Sequence, residues 1–370
     1  MNVKIAILGA GHGGCAAAVD LTIRGAFQVS LYNRSQETIE PLRQKGGVIS
    51  VGGIYGDRFV PLPLITSDIE TAIKGADVLM IMVPSTAHIY YATLLAPYVT
   101  PDHVLLLIPG HTGGSLAFVR EMRHQGVKGP IRCGETCTLA YVARKQAPDQ
   151  VSVFKVASGD FTFAAFPGKY QAELVEIVKR VYPMIEPVVN VLETGFMNGN
   201  AILHPVGMIM NAGWIEHTGG GFMYYSEGVT SAIARAMQAV DDERLAVMAA
   251  LGVKGKSFIQ YFYDRGATTR EAYESGSMYR VVKESAPNRT IRAPASLDDR
   301  FLHEDIGFGL APMSELGDMV GVGTPTMKAL IHLAELVTGV DYATAGLTLE
   351  KMGLAHVPLN RLPEFLYEGE

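Results

Sequence analysis

The feature that most constrains this chain lies at its start. Val3–Leu8 is a short, largely apolar run, and Gly9-Ala10-Gly11-His12-Gly13-Gly14 follows it without a gap. Residues 13–24 are alanine-rich with helical character, and Gly25 stops them. A GxGxxG alone is a weak signal, but one that leaves a buried strand and opens a helix is the dinucleotide-binding pattern. Each glycine has its own task. Gly9 makes the tight turn, Gly11 lets the backbone approach a pyrophosphate seated on the helix N-terminus, and Gly14 lets helix and strand pack closely.

The following pattern extends that unit. Strands are expected at 28–32, 78–83 and 104–108, with helices at 35–45, 68–76 and 86–96 between them and a hairpin within 48–65. Alternation at this spacing gives a doubly wound parallel sheet, an α/β Rossmann domain. A helix at 169–182 and a last strand at 188–192 complete it. From about residue 198 the periodicity is almost wholly helical: 198–216, 229–251, 256–265, 276–285, 303–317, 325–338 and 343–353. The expected division is a dinucleotide-binding domain over 1–190 and an all-α substrate domain over 191–370.

Composition narrows the function. Of 370 residues, 48% are hydrophobic and 18% charged, which excludes a disordered chain. There are 40 glycines where ordinary usage gives about 26, so backbone must turn or approach a ligand closely at many points. The net charge of −6 and the lack of a basic stripe argue against nucleic acid. No apolar run reaches the ~18 residues of a membrane helix, and the apolar stretch at the N-terminus is too short for a leader, so no membrane partner is expected. Cys15, Cys133 and Cys137 make neither a disulfide framework nor a zinc site. A cytoplasmic protein without a metal is expected.

The cofactor site should use Gly9, Ala10, Gly11, His12, Gly13 and Gly14. Just past the second strand, where NAD-preferring sites carry Asp or Glu for the ribose 2′-hydroxyl, stand Asn33 and Arg34. Arg34 suits a 2′-phosphate and Asn33 does not repel one, so the pattern favours NADP, with NAD as the alternative. The sharp breaks at Val83-Pro84-Ser85 and Pro109-Gly110 end two later strands, where ligands of such sheets bind.

The helical half must supply the substrate chemistry. One candidate stretch holds Asn198, Asn200, His204 and Pro205; another runs from Arg300 to Asp305. A histidine in an apolar helical run is more often a core residue than a catalyst, and a charged stretch is usually a solvated face. The residue types leave both readings open. Glu135 reads as a buried loop carboxylate without an assigned task.

The sequence resembles the opine dehydrogenases, the octopine- and nopaline-type N-(carboxyalkyl)amino acid dehydrogenases, over nearly its whole length. The resemblance rests on the N-terminal glycine turn, Pro109-Gly110-x-x-Gly113-Gly114, Glu135-Thr136-x-Thr138-x-x-Tyr141-x-x-Arg144 and Asn200-x-x-x-His204-Pro205. It continues through Tyr225-x-Glu227-Gly228, Asp241-x-Glu243-Arg244, Arg300-x-x-x-Glu304-Asp305 and Gly321-Val-x-Thr-Pro325. It implies reductive condensation of an amino acid with a 2-keto acid through an imine, using a nicotinamide hydride. It maps the catalytic histidine to His204, the orienting carboxylate to Asp305 and the carboxylate-gripping arginine to Arg300. Asn200 and Arg144 join them as further binding candidates. The chemistry fits these residue types: histidine moves protons near neutral pH, a carboxylate fixes its tautomer, and arginine forks onto a carboxylate. A homodimer is the working expectation.

Two other readings stand beside this one. Glycerol-3-phosphate dehydrogenases and ketopantoate reductases share the two-domain plan but carry a catalytic lysine, and Lys254 and Lys256 lie in no matching motif. A cofactor-sensing protein without turnover is the third.

Overall fold

The computed structural model describes residues 3–369. The chain forms two compact units, one of residues 1–110, 114–191 and 363–370, the other of residues 111–113 and 192–362. Two short segments thus cross the division expected at residue 190. Residues 111–113 are tied into the helical unit, where the Thr112 amide donates to the Phe308 carbonyl (3.1 Å). The last residues belong to the first unit, where Phe365 packs on Phe166 and Lys169 pairs with Glu368 (3.2 Å).

The first unit carries twelve strands: β1 (Val3–Leu8), β2 (Phe27–Tyr32), β3 (Gly47–Ser50), β4 (Arg58–Pro61), β5 (Leu64–Thr66), β6 (Val78–Ile81), β7 (Val104–Leu107), β8 (Arg132–Thr136), β9 (Tyr141–Ala147), β10 (Gln150–Val156), β11 (Thr162–Phe166) and β12 (Glu186–Pro187). Its helices are α1 (His12–Arg24), α2 (Gln36–Lys45), α3 (Ile69–Ile73), α4 (His88–Leu95), α5 (Gly114–His124) and α6 (Gln171–Val181). Eight strands form one sheet in the order β12-β11-β8-β7-β6-β1-β2-β5. It is parallel from β5 to β8, and only the β8–β11 pair is antiparallel. The strand order reverses between β1 and β6, so the carboxyl ends of these two strands form the switch point where ligands of such sheets bind.

The remaining four strands form a second sheet, β4-β3-β10-β9, of which the β3–β4 pair is the hairpin expected within 48–65, while β9 and β10 were not expected. The reason is physical. Strand β9 alternates buried Tyr141 and Ala143 with exposed Val142 and Arg144, and such a half-polar run carries little signal. The strand expected at 188–192 is also corrected: β12 is only two residues long, and a helix begins at Val191. The β-branched valines favour a strand locally, but the packing decides otherwise.

Helix α1 is buried from Gly13 through Leu21. Its Ala16-Ala17-Ala18 run lets sheet backbone come close, as an all-round apolar helix requires. Asp20 is the polar exception. It accepts hydrogen bonds from Tyr55 (2.5 Å) and Tyr141 (2.8 Å), which tie both ends of the second sheet to this helix.

The second unit is helical: α7 (Val191–Phe196), α8 (Asn200–Met210), α9 (Ala212–Thr218), α10 (Ser231–Ala250), α11 (Phe258–Asp264), α12 (Arg270–Glu274), α13 (Met278–Lys283), α14 (Arg300–Asp305), α15 (Ala311–Met319), α16 (Pro325–Thr338), α17 (Tyr342–Ala345) and α18 (Leu349–Met352). A terminal helix, α19 (Leu362–Glu368), runs back into the first unit. A π-helical turn, Ile306–Leu310, joins α14 to α15. Among the described residues no helix is long and apolar enough to cross a membrane.

Helix α10 staples this unit together. The fully buried Arg244 donates to Asp241 Oδ1 (2.9 and 2.6 Å) and to the carbonyls of Phe196 (2.9 Å) and Lys256 (2.5 Å). Asp241 Oδ2 accepts from the Phe258 amide at the start of α11 (2.7 Å). Glu243 takes the Thr326 (2.7 Å) and Met327 (3.0 Å) amides, the unpaired donors of the α16 N-terminus. The Asp241-x-Glu243-Arg244 motif is therefore a folding element.

In the first unit, Glu135 ends β8 with its carboxyl fully buried, accepting the Ser115 amide at Oε2 (2.9 Å) while Oε1 has no partner. Burial pushes its pKa up from 4.5 to about 8, and the Ser115 hydrogen bond only partly opposes this.

Two measurements follow. Arg244→Met leaves Asp241 buried without its cation and is expected to cost about 3–5 kcal/mol, read as a lowered urea midpoint; an unchanged midpoint contradicts the staple. Folded chain keeps the Glu135 proton up to about pH 8 while unfolded chain releases it near 4.5. Between those values the folded state binds more protons, so this group's contribution to stability is lost as pH rises. The gap in urea midpoint between Glu135→Gln and wild type should widen in favour of the variant from pH 5 to pH 8; a pH-independent gap excludes the buried proton.

Candidate active site

In the first unit the glycine turn has the geometry that its sequence implies. Gly9 lies at φ +119°, and a Cβ there would stand 2.5 Å from the Met82 carbonyl. A Cβ on Gly14 would collide with the Gly9 carbonyl oxygen, whereas one on Gly11 meets nothing within 4 Å. The space beside Gly11 opens at the N-terminus of α1, whose first turn holds no acidic residue. These features fit a dinucleotide pyrophosphate.

Neighbouring side chains fix the turn. Asn33 Oδ1 accepts the Ala10 amide (3.2 Å), so the residue where an acidic ribose ligand is usual here supports the loop. Arg34 is exposed and lies over the Tyr90 ring at 4.8 Å. From β9, the Lys145 amide donates to His12 Nδ1 (2.8 Å), and its ammonium reaches the Ala10 carbonyl (3.3 Å). Arg144 is the exposed β9 residue that precedes Lys145. Val83, Pro84 and Ser85 follow β6, with Ser85 buried, and Pro109 and Gly110 follow β7. Gly110 packs so closely on Glu135 that a Cβ would clash with its carboxyl.

In the helical unit, α8 and α14 build a second centre. Asp299 caps α14 by accepting the Phe301 amide (2.8 Å). Phe301 and Asp305 then stand one helical turn apart on one face, and both address the His204 imidazole. Phe301 stacks on the ring at 3.7 Å with an interplanar angle of 3°. Asp305 Oδ2 lies 2.7 Å from Nδ1. Both members of this pair are buried, at 5% and 3% exposure. A carboxylate only accepts, so Nδ1 carries the ring proton and Nε2 is the basic nitrogen. The Tyr225 hydroxyl stands 2.8 Å from that Nε2.

Local sequence explains the approach. Pro205 interrupts the hydrogen-bond ladder of α8. The Tyr224 hydroxyl donates to the His204 carbonyl (2.7 Å), and only a glycine at 207 leaves room for that phenol. Gly309 in the π turn brings its backbone against Ala201 of α8, where a Cβ would come within 2.8 Å of the alanine methyl.

Beside this lies a second buried histidine. His111 adopts φ +59°, in the left-handed region that non-glycine residues enter only when tertiary contacts hold them. Its Nδ1 is 2.7 Å from Asn198 Nδ2, and its Nε2 is 3.4 Å from Glu304 Oε1. Asn198 Oδ1 accepts the Asn200 amide (3.2 Å), which orients the side chain so that its NH2 donates to Nδ1. Nδ1 of His111 is thereby the acceptor, and its Nε2 faces Glu304.

Of the residues named from sequence, the structure pairs His204 on α8 with Asp305 on α14, while Arg300 stands at the start of α14. Arg300 is exposed at the first turn of α14, 5.9 Å from the Phe301 ring centre, and has no carboxylate partner among the described residues. Asn200 is exposed one turn before His204 on α8. Sequence reasoning missed Phe301 and His111, and it named Asn198 in a candidate stretch and Tyr225 in a motif without giving either a role. The four-residue spacing of Phe301 and Asp305 was readable; the others come from distant segments. Lys256, raised by the lysine-dependent reading, pairs with Asp264 (2.9 Å).

Residues 187–338 match the family described as NAD/NADP octopine/nopaline dehydrogenase, alpha-helical domain, and residues 5–125 match ketopantoate reductase PanE/ApbA. An opine dehydrogenase of Arthrobacter sp. (strain 1C) is 33% identical over 353 residues, covering 95% of each chain. Octopine dehydrogenase solved with NADH and L-arginine shares the fold at a TM-score of 0.78, with 20% identity and coverage of 100% of this chain and 98% of that one. Yersinopine dehydrogenase with bound NADP+ follows at 0.71, with 16% identity and coverage of 99% and 98%. By whole-chain similarity to the Arthrobacter protein, this chain belongs to the opine dehydrogenase family, NAD(P)-dependent oxidoreductases acting on the CH-NH group of donors.

Proposed function

We propose that this chain condenses the amine of an amino acid with a 2-keto acid and reduces the resulting imine, with His204 as proton carrier. The observation that carries this reading is the clamped imidazole, whose Nδ1 faces Asp305 at 2.7 Å while Phe301 fixes the ring plane at 3.7 Å. Imine formation needs a proton taken from the incoming ammonium and one given to the departing hydroxyl. A histidine fixed as a single tautomer by a carboxylate does both. Asp305 stabilises the imidazolium formed in between.

Arg300, an uncompensated cation at the start of α14, is the group for the keto-acid carboxylate, which its planar fork binds through both oxygens. Asn200, one turn before His204, offers an amide to the substrate. The L-arginine held by the octopine enzyme is consistent with an amino acid as the amine donor. When bound, the nicotinamide supplies the hydride. Gly9, Ala10, Gly11, His12, Gly13 and Gly14 would hold its pyrophosphate, with Val83, Pro84, Ser85, Pro109 and Gly110 lining the strand ends beside it. Arg144 serves on this cofactor side.

NADP is the proposed preference. Asn33 is occupied with the Ala10 amide, and Arg34, steadied on the Tyr90 ring, leaves a cation for the 2′-phosphate. The NADP+ bound by yersinopine dehydrogenase is consistent with this. A cytoplasmic site of action suits three buried cysteines that form no disulfide among the described residues. The exposed Leu333, Leu336 and Val337 of α16 supply apolar surface for the expected homodimer.

The test is NADPH consumption with pyruvate across a panel of amino acids. Oxidation should require the amine, and His204→Ala should lower turnover about 100-fold or more. Oxidation that ignores the amine, or wild-type turnover in a folded His204→Ala chain, defeats the reading. In the same assay the KM for NADPH should lie below that for NADH; a preference for NADH above tenfold removes the NADP assignment.

A further inference from the structure

We propose that Tyr225 is a catalytic residue: its phenol exchanges protons with the reacting nitrogen and oxygen, in a relay that runs Tyr225–His204–Asp305. The proposal rests on the role given to His204 above and assigns the contact with substrate to a different atom.

The hydrogen-bond inventory of the imidazole carries the argument. Nδ1 is committed to Asp305 (2.7 Å), so Nε2 holds the only ring lone pair, and the Tyr225 hydroxyl stands on it at 2.8 Å. An acceptor nitrogen fixes that phenol as donor. One ring face is closed by Phe301, and Tyr224 packs against the imidazole in an edge arrangement. Direct contact between substrate and Nε2 would need the 2.8 Å bond to break. The phenol oxygen keeps lone pairs of its own, and a substrate proton can enter the chain there.

The backbone holds Tyr225 firmly enough for this task. The Tyr224 amide donates to the Ile291 carbonyl (2.8 Å), and the Glu227 (2.9 Å) and Gly228 (3.0 Å) amides both reach the Met223 carbonyl. Asn211 Nδ2 donates to the Gly228 carbonyl (3.0 Å). The two adjacent tyrosines divide the work. Tyr224 is anchored through its hydroxyl to the His204 carbonyl, and its ring meets that of Tyr225 edge-on at 5.1 Å. Tyr225 presents its hydroxyl to the imidazole.

The steps balance. The substrate ammonium gives a proton to the Tyr225 oxygen as the phenol's own proton passes to Nε2; the free amine and a neutral phenol result, with His204 as imidazolium beside Asp305. The amine nitrogen bonds to the keto carbon, the C=O π bond breaks, and an internal proton shift gives the neutral carbinolamine. The imidazolium then returns its proton to the phenol oxygen as the phenol protonates the carbinolamine hydroxyl. The C–O bond breaks, water leaves, and a protonated imine remains for reduction. Because the two transfers are coupled, no free phenolate is formed.

The experiment is single-turnover reduction with Tyr225→Phe, which keeps the ring and removes the oxygen. The rate should fall about 100-fold, with NADPH binding by fluorescence unchanged. The proton inventory in mixed H2O and D2O should change from bowed in wild type, with two protons in flight, to linear in the variant. A packing role alone would lower the urea midpoint and leave the inventory bowed. His204→Ala is measured alongside: wild-type turnover there removes the reading of His204 itself. If His204→Ala is inactive while Tyr225→Phe keeps the wild-type rate and a bowed inventory, the relay is overturned. A faster Tyr225→Phe overturns it too, since the phenol would then be a cap. Should Tyr225→Phe not fold, a linear inventory in wild type overturns the relay by itself.

Discussion

The bond between His204 and Asp305 is the interaction on which the helical unit's site depends. Both groups are buried, and a carboxylate taken out of water is stable only with its partner in good geometry. Much of the surrounding structure supplies that geometry. The Asp299 cap starts α14 so that Phe301 and Asp305 fall on one face, and Pro205, Gly207 and Gly309 let α8 and its neighbours approach. The π turn directly after Asp305 frees backbone carbonyls that other segments use: Phe308 accepts the Thr112 amide (3.1 Å), and Gly307 accepts the Leu347 amide (2.8 Å). Irregular backbone of this kind is common at functional sites because it re-aims groups that a regular helix would hide.

The same helix carries a second pair. Glu304 faces His111 while Asp305 faces His204, so two consecutive carboxylates address two imidazoles. The Asn198 amide meets the second nitrogen of His111, while the phenol of Tyr225 meets that of His204. Neighbouring hydrogen bonds, more than residue type, set what each histidine can do.

The first unit depends on a different constraint, the close approach of backbone to backbone. Gly9 and Gly14 let β1, β6 and α1 meet without side chains between them, and Asn33 and Lys145 hold the loop from opposite directions. Legibility in the sequence follows from this contrast. The glycine turn is local, so a strand, a spacing and a helix reveal it, and the α/β-then-helical fold class follows from periodicity. Of the β4-β3-β10-β9 sheet the β3–β4 hairpin was legible, but β9 and β10 were not, because they are half polar and join that hairpin across about a hundred residues. His204, Asp305 and Arg300 stood out through a resemblance, since nothing in their own segments distinguishes a catalyst from a core histidine or a solvated face.

By itself, then, the sequence determined the elements whose information is local: a buried strand, the glycines that follow it, a helical second half, and the residue types from which a proton-transfer site could be made. Tertiary structure decided which of those residues meet. Phe301 becomes a ring-stacking partner, Tyr225 a donor to Nε2, and His111 a partner of Asn198 only because segments about twenty to a hundred residues apart are packed together. A side chain's proton affinity and orientation depend on such neighbours, and a linear chain does not record them until it is folded.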